Sequence, residues 1–161
     1  MKGWNKTTSL TYFADLLTLY GYNATQIYGI VPAADKGNPS NIMQMKCAYF
    51  KEVRLLVELI YSYALMQVDI ISTGAGTVVA RKAILGGACL DENENLGKPI
   101  TNKVYTFIAV GGVCYGSEAC SNENSCTGPS SLNCYSTLLV NNFATLFCSI
   151  LFRSDHVVYI Y

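Results

Sequence analysis

KCAYFKEVRLLVELIYSYALMQVDIIS, residues 46–72, is the longest segment of the chain in which apolar residues recur at helical spacing. Cys47, Phe50, Val53, Leu56 or Val57, Ile60, Tyr63 or Ala64, Val68 and Ile71 form a broad stripe on the 3.6-residue period. Lys51, Glu52 and Glu58 lie largely off that stripe, and Arg54–Glu58 is an i,i+4 pair of opposite charge. The stretch reads as a central helix wetted along one side, fading between Asp69 and Gly74.

Downstream, Gly74 and Gly76 interrupt the pattern, and Thr77 can cap a second short helix, Val78 to Leu85, that Gly86-Gly87 ends. Asp91 to Thr101 is a charged surface turn, which Pro99 keeps from continuing as a helix. Val104 to Val110 is rich in β-branched and aromatic residues and reads as a buried strand. Beyond the polar loop from Cys114 to Cys134, Ser136 to Val140 and Phe143 to Phe152 flank Asn141-Asn142. That pattern predicts two strands joined by a two-residue turn. Val157 to Tyr161 fits a last strand.

Upstream, Pro32 to Asn41 reads as a loop and Gln26 to Val31 as a short apolar stretch. Leu10 to Tyr20 fits a first helix, with Thr7, Thr8 or Ser9 as cap and Gly21 as its stop. Lys2, Lys6 and the semi-apolar run after them outline a secretory signal, but Asp15 falls inside its apolar core and favours the helix. The predicted fold is therefore α+β, a helical N-terminal half packed on a small antiparallel C-terminal sheet. At 161 residues the chain suits a single domain, 1–161.

Eleven basic and eleven acidic residues cancel, and only Arg81 and Lys82 are adjacent basic residues. This excludes the concentrated basic face that nucleic acid requires. Charged residues are 14% of the chain, against about 25% in ordinary soluble domains, so the polar surface must come from Asn, Ser, Thr and twelve tyrosines. Such a surface suits an assembled, secreted or partly membrane-embedded chain. Seven cysteines are many for this length. Cys114, Cys120, Cys126 and Cys134 cluster in the most turn-rich segment and read as disulfide candidates, with three complete pairings open. Their spacing lacks the close pair with which structural zinc sites begin. Cys47, Cys89 and Cys148 sit in apolar surroundings, where a buried small hydrophobe is the expected role.

Chemistry-bearing patterns are sparse. His156 is the single histidine, so any Cys-His or Ser-His-Asp arrangement would need it. Asp91, Asn93 and Asn95 match the first, third and fifth positions of a calcium loop. Leu96 stands where glycine is needed, however, and Asn102 where glutamate is, so a solvated turn fits better. Gly74-Ala75-Gly76 before a helix resembles a phosphate-holding turn but lacks the third glycine and any Gly-Lys-Thr/Ser, so a plain helix break is the simpler reading. Asn5-Lys6-Thr7 and Asn23-Ala24-Thr25 are glycosylation acceptors in a secreted chain.

The function expected from these observations is a non-catalytic structural or interaction protein of a cell or particle surface, disulfide-stabilised and extracellular. A protein partner or self-assembly is expected, with no cofactor, no metal and no catalytic residue. Two alternatives remain. One is a small secreted hydrolase using His156 with a cysteine or an acid. The other is an integral membrane protein with a span near residues 135–152, where no charge falls between Glu123 and Arg153.

Overall fold

The computed structural model describes residues 6–31, 44–117, 120, 126, 128–143 and 157–160. In chain order its elements are α1 (Lys6–Leu19), β1 (Ile27–Ile30), α2 (Cys47–Ala64), β2 (Val68–Thr73), α3 (Gly76–Leu85), β3 (Val104–Val110), α4 (Thr137–Phe143) and β4 (Val157–Ile160).

The apolar stripe of residues 46–72 divides into two elements. α2 ends where Leu65 turns left-handed, φ +56°, with its N–H bonded to the Tyr61 carbonyl at 2.9 Å. That cap reverses the chain, and Val68–Thr73 then runs as a strand almost wholly buried. Val68 and Ile71, which continued the helical stripe on paper, belong to this strand. A strand covered on both faces is a near-continuous apolar run, and over so few residues it does not break helical spacing.

β2 is central. The sheet order is β1-β4-β2-β3, and every pairing is parallel. Ile70 lies between Val158 of β4 and Phe107 of β3. The expectation of an antiparallel C-terminal sheet behind a helical N-terminal half is thus wrong. Strands and helices interleave as β1–α2–β2–α3–β3, because parallel neighbours require long crossovers and the helices supply them. The hairpin about Asn141-Asn142 fails too. α4 occupies Thr137–Phe143, and the Ser136 hydroxyl accepts the Leu139 N–H at 3.3 Å as an N-cap would. The proposed second arm, residues 144–152, lies outside the described residues, as does the loop at 32–43. Among the described residues no helix is long and apolar enough to cross a membrane.

The core forms where α2 crosses α3 above β2. Phe50, Val53, Val57 and Ile60 of α2 are buried against Val79, Ala80 and Ala83 of α3 and Val68 and Ile70 of β2. Each large side chain there contributes about 1.5–3 kcal/mol by leaving water. Of the two residues that the spacing offered at the end of the stripe, Ala64 is half-buried and Tyr63 is exposed. The Arg54–Glu58 pair is present at 3.7 Å, and Arg54 also donates to the carbonyls of Ala83 and Lys98, tying α2 to the end of α3.

Candidate active site at the end of β2

β2 passes into α3 through Thr73, Gly74 and Ala75, at the end of the sheet where parallel strands finish. Gly74 has φ +51°, and a Cβ there would meet nothing within 4 Å. Its backbone is held from two sides. The Gly74 N–H donates to the Val110 carbonyl at 3.3 Å, and its own carbonyl accepts from Thr77 at 3.2 Å and Val113 at 3.4 Å. The segment leaving β3 therefore closes directly over the turn. Gly112 makes the approach possible, since a Cβ on it would lie 2.7 Å from the Thr77 side chain.

Two hydroxyls stiffen the turn from beneath. Ser72 and Thr77 are fully buried, 3.2 Å apart, and the Ser72 hydroxyl is also 3.2 Å from the Ile108 carbonyl. Both are committed to holding β2, β3 and α3 together and neither reaches solvent. Above the turn α3 begins, with buried Gly76 in its first turn. A helix leaves its first N–H groups without intrahelical acceptors and carries partial positive charge there. The chemical character of the place is thus a half-buried backbone turn at positive φ, open space where a Cβ would stand and an electropositive helix start. Val110 and Tyr115, at and just beyond the end of β3, are exposed nearby.

The residues singled out from sequence are distributed differently. Cys120 and Cys126 form a disulfide, so a four-thiolate zinc site is ruled out. Cys114 and Cys134 belong to neither described bridge, although Gly116 packs against the Cys134 backbone and brings the two loops together. The second disulfide, Cys47–Cys89, joins residues expected to be plain buried hydrophobes. Nothing local signals that bridge, since the two are 42 residues apart in sequence. Cys148 and His156 lie outside the described residues.

The calcium-like segment is otherwise engaged. Both Asp91 carboxylate oxygens accept the Cys47 N–H, at 3.0 and 3.2 Å, capping α2, while Glu92 and Glu94 face Lys51. These two glutamates cluster with the Cys47 sulfur, but that sulfur is in a disulfide and is no thiolate ligand. In the Asn23 acceptor, the side-chain oxygen takes the Thr25 N–H and hydroxyl, both at 3.0 Å, on an exposed turn. Asn5 is not described.

A strand, a sharp turn at positive φ and a helix are the elbow on which α/β-hydrolases carry their nucleophile, within G-x-S-x-G. A family model described as Lipase (class 2) matches residues 2–151 of this chain, which therefore belongs to that family. No curated relative and no solved structure matches it. The match overturns the expected non-catalytic structural protein and places the chain with hydrolases, as the first alternative had it. Low charge and abundant tyrosine do not distinguish an assembly surface from a fold that handles apolar substrates.

Aligned on the elbow, Ser72-Thr73-Gly74-Ala75-Gly76 keeps the last glycine of the motif and has Gly74 at its centre. In sequence Gly74-Ala75-Gly76 reads as a plain helix break, because the serine that makes the motif legible is the residue missing. The remaining signal was the order of parts, a β-branched apolar run followed at once by Gly-x-Gly and a helix.

Proposed function

We propose that this chain acts on carboxylic esters of lipids, holding the ester carbonyl at the turn between β2 and α3. One observation carries the reading: a positive-φ elbow at Gly74, held by the segment after β3 yet with open space where a Cβ would stand, in a chain of the class 2 lipase family. The overall reaction is hydrolysis, ester and water giving acid and alcohol. As the carbonyl carbon becomes tetrahedral its oxygen gains negative charge. In such elbows the residue following the centre, here Ala75, donates its backbone N–H to that oxygen. The start of α3 adds a favourable field of the same sign. Exposed Val110 and Tyr115 offer apolar surface for an acyl chain.

An extracellular setting belongs to the same reading, supported by two disulfides that would not persist in a reducing cytosol. The test is hydrolysis of p-nitrophenyl esters of increasing acyl length by the purified chain, together with equilibrium binding of a pyrene-labelled fatty-acyl ester. Turnover above buffer, or saturable ester binding weakened by Ala75→Pro, supports the proposal. Absence of both for every acyl length removes it.

A further inference from the structure

Resting on that ester reading, we infer that the acyl-enzyme route is closed at this elbow: the ester is held against Gly74 without covalent attachment, and water is the acyl acceptor. Gly74 occupies the position from which a serine would attack, and it has no side chain. Among the described residues, the hydroxyls beside it in the chain do not substitute. Ser72 precedes the elbow within β2 and is fully buried, bonded toward Thr77 and Ile108. Thr77 lies in the first turns of α3, equally buried and covered by Gly112. Thr73 is partly exposed but sits at the last residue of β2, where its backbone is paired with Val110 and follows the strand rather than the elbow.

The backbone meanwhile keeps the elbow's shape, with φ +51° at a residue that could have relaxed to any conformation, and with open space among the described residues where a Cβ would stand. A turn preserved in this form still presents the Ala75 N–H and the start of α3 to a carbonyl oxygen. In the reaction left open to it, a water oxygen bonds to the carbonyl carbon and the bond to the alcohol oxygen breaks. The proton lost by water ends on the departing alcohol through solvent. Such an arrangement, binding and oxyanion donors without a complete nucleophile, retains about 10³–10⁴-fold acceleration over water in serine hydrolases stripped of a triad member.

Two measurements on the whole chain test this. The first treats wild type with a fluorophosphonate and maps any adduct by mass spectrometry, beside a rapid-mixing assay for a burst of p-nitrophenol. The expected result is no adduct on residues 68–85 and no burst, with steady turnover no more than about 10⁴-fold above the uncatalysed rate. A stoichiometric adduct on Ser72, Thr73 or Thr77, or a burst equal to the protein concentration, overturns the inference and leaves the ester reading standing. The second fills the elbow with Gly74→Leu, with Gly74→Ala as the milder variant should leucine at positive φ impair folding. Ester turnover or binding falls at least 10-fold in the leucine variant and less in alanine. Unchanged binding in a folded Gly74→Leu protein shows that the ester is held elsewhere and refutes the inference. Wild type that neither binds nor cleaves ester sinks the ester reading and this inference together.

Discussion

Replacing Gly112 by alanine tests whether the elbow depends on close contact between the segment after β3 and the start of α3. Gly112 is not one of the positive-φ glycines, so alanine introduces no backbone strain and the effect is purely steric. The new methyl would lie 2.7, 2.8 and 2.9 Å from Cγ2, Oγ1 and Cβ of Thr77, a side chain with no exposed surface to retreat into. Overpacking of this kind costs about 1–3 kcal/mol. Rotating Thr77 away forfeits its contact with Ser72, roughly 1 kcal/mol more. A loss of about 2–4 kcal/mol lowers Tm by roughly 4–16 °C in a chain of this length. Urea unfolding and thermal melts of wild type, Gly112→Ala, Thr77→Ala and the double variant form the assay. The double variant should be more stable than the sum of the single losses by about 1 kcal/mol, because Thr77→Ala removes two of the three clashing atoms. If Gly112→Ala unfolds within about 0.5 kcal/mol of wild type, the segment does not pack on α3 as described and the elbow is not fixed from above.

Losing the Cys47–Cys89 bridge by double serine substitution should cost about 1.7 kcal/mol more than losing Cys120–Cys126, since the closed loops span 42 and 6 residues and the unfolded chain gains entropy accordingly. Denaturant unfolding of the two double variants measures the difference, and equal losses would contradict it. Burial holds the Lys82 ammonium below its ordinary pKa of 10.5. In the window between the depressed folded value and 10.5 the unfolded chain binds more protons, so this group's contribution to stability rises with pH. Stability relative to Lys82→Met should therefore shift in favour of wild type as pH rises toward 10.5, and a difference independent of pH would show that Lys82 is not desolvated.

What could be read from the sequence followed the range of the interactions involved. α2, α3 and β3 were visible because each declares itself within its own residues, through apolar spacing, through Gly86-Gly87, or through the β-branched run Val104 to Val110, although β3 is an edge strand and mostly half-buried where a buried strand was expected. The direction of the sheet was not visible, because it depends on whether Val68–Thr73 extends α2 or turns back beside Val157, and six residues satisfy both periods. Once Leu65 adopts its left-handed cap the choice is made, and parallel pairing follows from the crossover helices. The same reasoning explains why the disulfide framework was half legible. Cys120 and Cys126 sit in one turn-rich loop, whereas Cys47 and Cys89 are 42 residues apart in sequence and meet where the Asp91 carboxylate caps the start of α2. The site was the least legible part, and for a chemical reason. Catalytic machinery is sought through side chains that titrate or attack, and here the central position is a glycine whose contribution is a backbone angle and the space above it. Only the parallel sheet makes that angle meaningful, by placing it where β2 ends and α3 begins.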